Sequence, residues 1–239
     1  MRIFLAGATG VVGRRLATLL SDAGHEVTGT TRISARLPML RALGIAPIVV
    51  DVFDAGALKE AVAAARPDVV IHQLTDLPSA PGTPGYPAAQ EANRRLRIEG
   101  TRNLMQAAKM AGVRRAVAQS IAFVYAPDEE PRIEDDPLDL AAEGVRRLTV
   151  QGIAALEREV LTTPEIDGVV LRYGYLYGPG TWYEAPPKPP SVHVDAAAHA
   201  ALLAVGKGAG IYNIAEDDGA VSSAKAKREL GFDPAFRIP

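Results

Sequence analysis

Short apolar, often β-branched runs alternate along this chain with longer segments whose apolar residues recur every three to four positions. The short runs predict strands at Ile3–Ala6, Glu26–Thr30, Pro47–Val50, Val69–His72, Ala116–Gln119 and Gly168–Leu171. The longer segments predict helices over Arg14–Ala23, Ala35–Leu43, Ala55–Ala65, Ala88–Ala111 and Leu138–Leu161. Gly24 and Gly44 stop the first two helices, and Asp54 is placed to cap the third. Strands without a polar face, alternating with helices, predict an α/β fold: a doubly wound parallel sheet covered on both sides. Such sheets bind ligands at the carboxyl ends of their strands. The proline-rich stretches 78–87 and 179–190 both follow strands, where loops would border that edge.

Composition narrows the function classes. The chain has 239 residues, 48% of them hydrophobic, enough for one sizeable core. Its net charge of −2 gives no field to attract nucleic acid or an anionic membrane surface. With no cysteine, disulfides, thiolate chemistry and cysteine metal sites are excluded. The histidines at 25, 72, 193 and 199 are isolated, and the six-residue spacing of His193 and His199 does not suit joint ligation, so no metal site is expected. No basic leader precedes the first apolar run, and no stretch reaches the ~20 apolar residues of a membrane span. A soluble, cytoplasmic protein acting on a small molecule is expected.

The first strand ends in Gly7-Ala-Thr9-Gly10-Val11-Val12-Gly13, and a helix follows. Glycines there permit a tight turn and close approach to a pyrophosphate, which the free N–H groups and positive end of the helix would hold. A dinucleotide site is therefore expected, and the fold is read as Rossmann-like. An acid at the end of the second strand would hold the ribose 2′-hydroxyl of NAD. Thr31 and Arg32 stand there instead, with Arg36 nearby, which favours a 2′-phosphate and hence NADP over NAD. Asp51 suits either the adenine amino group or the cap of a turn.

Taken together, several motifs resemble the extended or atypical short-chain dehydrogenase/reductases of the epimerase/dehydratase type. They are the glycine-rich start, Asp51-Val52, His72-Gln73-Leu74-Thr75, Gly100-Thr101-Arg102-Asn103-Leu104, Gln119-Ser120-Ile121-Ala122-Phe123-Val124-Tyr125, Leu171 to Gly180 and His193-Val194-Asp195. The resemblance implies a cofactor site at Gly7, Thr9, Gly10, Val11, Val12, Gly13, Thr31, Arg32, Asp51, Val52, Leu74, Thr75, Ser120 and Tyr173. It implies a dinucleotide-binding region over 1–172 and a small, shortened substrate-binding region over 173–239. The long helices resemble those that pair in related dimers, so a homodimer is a further implication.

The resemblance breaks at the chemistry. Hydride-transferring relatives use a tyrosine, a lysine four residues on, and a serine or threonine. The lysine charge lowers the tyrosine pKa so that it can exchange a proton with the substrate. Alignment on Leu156-Glu157 places Thr149 and Ile153 at the tyrosine and lysine positions, and alignment on Val124-Tyr125 places Ile121 at the serine position. Ser120 and Tyr125 are the remaining catalytic candidates. Tyr173, Tyr175 and Tyr177 read as an aromatic lining, and His72 as a buried structural histidine. Two functions follow: an NADP(H)-dependent oxidoreductase or epimerase acting on a small polar, sugar-like substrate, or a non-catalytic NADP(H)-binding sensor.

Overall fold

The computed structural model describes residues 1–77, 80 and 82–238. Positions 78, 79 and 81 of the first proline-rich stretch lie outside the described residues. The strands are β1 (Arg2–Ala6), β2 (Glu26–Thr31), β3 (Ala46–Val49), β4 (Val69–His72), β5 (Arg115–Ile121), β6 (Asp167–Tyr173), β7 (Tyr175–Tyr177), β8 (Ser191–His193) and β9 (Gly210–Ile214). The α-helices are α1 (Val11–Asp22), α2 (Leu37–Ala42), α3 (Ala55–Ala65), α4 (Tyr86–Arg95), α5 (Thr101–Met110), α6 (Gly144–Thr162), α7 (Val194–Leu203) and α8 (Ala224–Leu230).

Seven strands form one parallel sheet in the order β3-β2-β1-β4-β5-β6-β9, and β7 and β8 make a small parallel pair. The alternation of side chains along each strand explains why no polar face was visible in the sequence. Leu5, Ile71, Val117 and Leu171 enter a core layer shared with α1 and α7. Their neighbours Phe4, Val70, Ala118 and Val170 enter a second layer beneath α3, α5 and α6. Asp54 caps α3 as expected, its Oδ1 accepting the Ala57 N–H at 2.9 Å.

Three departures from the sequence reading matter for the site. The helix expected over Ala88–Ala111 begins at Tyr86, with a proline in its first turn, where the missing N–H has no intrahelical partner to lose. It is interrupted at Leu96–Gly100 by a π-helical turn. The helix expected from Leu138 starts only at Gly144, because Leu138 forms a β-bridge with Tyr125 and the Asp139 N–H bonds the Val124 carbonyl. Finally, 173–239 is not a separate region. It supplies β9, which pairs with β6 from Val169 to Tyr173, and α7, whose buried alanines 196, 197, 198, 200 and 201 pack into the same core as α1. The boundary drawn at 172/173 therefore cuts through one sheet.

Candidate active site

The turn from β1 to α1 needs glycine for two separate reasons. Gly7 has φ +90°, and a Cβ there would lie 2.5 Å from the Gln73 carbonyl oxygen. A Cβ on Gly13 would lie 2.1 Å from the Gly7 carbonyl oxygen, so Gly13 lets α1 pack onto the turn. Gly10 caps α1 without a side-chain acceptor, and the first turn holds no acid. The positive end of the helix is left uncompensated beside the turn.

A cavity of about 170 Å³ opens there. Gly7, Thr9, Gly10, Thr31, Arg32, Val52, Leu74 and Thr75, all expected in the cofactor site, line it, together with Thr30, Ile33, Arg36 and Gln73. At its far end the Arg32 guanidinium approaches Asp76 at 3.4 Å and Arg36 donates to Thr9 Oγ1 at 3.3 Å. Asp76 pairs with Arg32 there, and no acid is among the residues that line the cavity. Gln73 donates through Nε2 to the Tyr173 hydroxyl at 3.2 Å, leaving its buried Oε1 without a partner among the described residues. A glycine turn that no Cβ could share, an uncapped helix end and an orphaned buried acceptor fit a dinucleotide.

Other expected cofactor residues act behind the cavity. Val12 is core, Val11 packs against it, and Tyr173 is buried and reaches the cavity only through Gln73. Asp51 takes the turn-capping role: its Oδ1 accepts the Phe53 N–H at 2.9 Å, and it does not line the cavity.

Both catalytic candidates lie buried in the core rather than at an open site. Ser120 is fully buried and donates to Glu157 Oε1 at 2.7 Å, and it does not line the cavity. Glu157 also receives Arg172 through Nε at 2.8 Å and Nη2 at 2.7 Å. Tyr125 is buried, donates to Asn213 Oδ1 at 2.6 Å, and has the Arg172 guanidinium 4.9 Å from its ring centre. Burial raises its pKa, which makes it a poorer base still. Both hydroxyls belong to one buried network that ties β5, β6, β9 and α6 together. His72 is structural as expected: its Nδ1 accepts the Leu74 N–H at 3.2 Å and its Nε2 lies 3.0 Å from Thr101 Oγ1.

Two of the three positions that lack their polar residues, Ile121 and Ile153, come together as apolar packing. Ile121, Val124, Val150 and Ile153 form one buried cluster, with Phe123, Leu138 and Ala142 against it. Thr149 Oγ1 donates to Gln90 Oε1 at 2.9 Å, bridging α6 to α4. Beyond the cluster the Phe123 and Tyr175 rings stack at 4.0 Å, with Lys188 Nζ 4.9 Å from the Tyr175 ring centre. Among the described residues no group of three or more potential metal ligands occurs, and no helix is long and apolar enough to cross a membrane.

The parallel sheet, the glycine turn at its switch point and the cavity beside it define a dinucleotide-binding α/β protein. The chain belongs to the NAD dependent epimerase/dehydratase family, whose sequence pattern matches residues 3–230. It is 39% identical over 264 aligned positions to a 3-diazoavenalumate denitrifying reductase of Streptomyces sp, covering 100% of this chain and 84% of that protein. That alignment is longer than this chain, so the relative carries segments absent here. Among solved structures it is similar to UDP-glucose 4-epimerase of Thermotoga maritima with UDP-glucose (TM-score 0.81, 17% identity, 99% of this chain and 94% of that one). It is also similar to UDP-glucose 4-epimerase of Thermus thermophilus in complex with NAD (TM-score 0.78, 19% identity, 100% and 95%).

Proposed function

We propose that this chain is an NADPH-dependent reductase whose hydride acceptor is a diazo-bearing carbon. The observation that carries the reading is the apolar cluster of Ile121, Val150 and Ile153, at the carboxyl end of β5, in a chain whose dinucleotide cradle is otherwise intact. Chemistry at a carbon–oxygen bond moves a proton at oxygen as hydride moves at carbon, and this cluster has no acid or base to move it. Hence the sugar-like substrate expected from the family resemblance fits poorly. A diazonium carbon makes no such demand. When bound, the dinucleotide supplies hydride: the carbon gains a C–H bond, the C–N bond breaks with its electron pair leaving as dinitrogen, and no proton is exchanged. The name of the 39% identical relative describes a reductase that removes nitrogen from a diazo compound, which supports the same class.

In this reading the Gly7–Gly10 backbone and the α1 N-terminus hold the pyrophosphate. Arg32 and Arg36 hold the 2′-phosphate, and Gln73 offers its free Oε1 to a donor on the cofactor. The apolar cluster keeps water from the transferring hydride. The experiment follows dinucleotide absorbance and evolved dinitrogen with benzenediazonium, with benzaldehyde as the carbonyl comparison. NADPH oxidation above the protein-free rate, one dinitrogen per NADPH and no reduction of benzaldehyde are expected. Turnover of benzaldehyde would overturn the reading. The same cluster also fits the non-catalytic NADP(H)-binding sensor, which would show firm NADPH binding with no turnover of either compound.

A further inference from the structure

Arg97 lies in the π-helical turn between α4 and α5 and is 5% exposed. Its guanidinium makes no hydrogen bond and no ion pair with any described residue. Burial is the main influence on it and lowers its pKa to about 10, so the group still carries its charge at neutral pH. Glu157, the buried carboxylate nearest in effect, is committed to Arg172 and Ser120. An unpaired buried cation is costly to a fold. The surroundings are built to accept this one. A Cβ on Gly152 of α6 would lie 3.2 Å from Arg97 Cδ, so that glycine makes room for the stem. π-helical turns are also frequent at functional sites.

The neighbours say what the charge faces. Tyr86, at the start of α4, has its pKa raised by burial and by Tyr175 and Tyr183, while Arg97 opposes the shift. Gly152, against the Arg97 stem, precedes Ile153, whose cluster is packed by Phe123, and the Phe123 ring stacks on Tyr175. Thr149 and Gln90 close the α4–α6 seam alongside.

We propose that Arg97 is the anchor for a carboxylate on an aromatic substrate, the acid reaching the guanidinium and the ring lying along the Tyr86–Tyr175–Phe123 aromatics. This deepens the reductase reading and rests on it for calling the bound molecule a substrate. The test reads equilibrium binding, so it can succeed or fail independently of turnover.

Protein saturated with NADP is titrated by calorimetry with cinnamate and with its neutral counterpart cinnamamide, in the parent, Arg97→Met and Arg97→Lys. The parent should bind the acid at least about tenfold more tightly than the amide. That preference should vanish in Arg97→Met and persist in part in Arg97→Lys, with NADP affinity unchanged in all three. The Arg97→Met melting temperature should equal or exceed the parent's, because no native partner is lost and a buried charge is removed. A parent without the preference, or an Arg97→Met protein that keeps it, would overturn the proposal. A markedly destabilised or unfolded Arg97→Met chain would also overturn it, by assigning the guanidinium to the scaffold.

Discussion

Replacing Arg172 by methionine tests the buried network that holds Ser120 and Tyr125. Arg172 and Glu157 are 2% and 4% exposed and are joined by two hydrogen bonds of 2.8 and 2.7 Å. Burial opposes the Arg172 charge, yet the Glu157 hydrogen bonds and charge raise it above the ordinary guanidinium value. Removing one partner of such a pair strands the other charge in the core, at a cost of about 3–5 kcal/mol. Folded domains hold about 5–15 kcal/mol in total, so Arg172→Met should lose a large share of the stability. The double change Arg172→Met with Glu157→Leu removes the stranded charge. What remains is the Ser120 hydroxyl and the Glu134 carbonyl without their partners, at about 1–3 kcal/mol each at most. Urea unfolding at neutral pH, followed by circular dichroism, should find the double variant more stable than the single by about 1–2 kcal/mol. A double variant no more stable than Arg172→Met would refute the argument that the stranded carboxylate sets the cost.

Three further outcomes follow from the same geometry. Ser120→Ala should cost about 1.5–3 kcal/mol through the lost hydrogen bond to the charged Glu157 and leave NADPH affinity unchanged; a drop in affinity at equal stability would restore Ser120 to the site. His72, buried and influenced further by Arg97, has its pKa lowered from 6.5 to about 4. The unfolded chain therefore takes up a proton that the folded one refuses, and stability should fall by about 3 kcal/mol as pH drops through that window. In His72→Gln the unfolding free energy should vary less between the two pH values, and an unchanged slope would contradict the assignment. Gly13→Ala drives a methyl into the Gly7 carbonyl and should weaken NADPH binding by at least about tenfold in a calorimetric titration, whereas wild-type affinity would mean the turn is not the cradle.

The sheet was readable because its central strands β1 and β4 are buried apolar runs, a pattern that solvent-facing strands do not share. The glycine turn was readable because two backbone approaches there exclude any other residue. β9 was not, since Gly210-Ile-Tyr-Asn-Ile214 carries a buried asparagine that breaks the apolar run and accepts from the Tyr125 hydroxyl, 88 residues away. The fates of Ser120 and Tyr125 were hidden for the same reason: their partners Glu157 and Asn213 are distant in sequence. Arg97 gave no local signal, because an arginine in an amphipathic segment reads as a surface residue until the helix that buries it is in place. The loss of polar residues at Ile121, Thr149 and Ile153 was legible from alignment alone. The convergence of Ile121 and Ile153 with Val124 and Val150 into one apolar cluster required the packing of α6 on β5.

The central claim is that hydride passes directly from the dinucleotide to carbon with no proton supplied through the protein. The most direct measurement is the isotope content of the benzene released from benzenediazonium, using NADPH deuterated at nicotinamide C4 in ordinary water and, separately, unlabelled NADPH in heavy water. The account expects one deuterium in the product from labelled NADPH and none from heavy water. Deuterium taken from the solvent would contradict it, and would require a proton donor at a site where the structure holds isoleucine and valine.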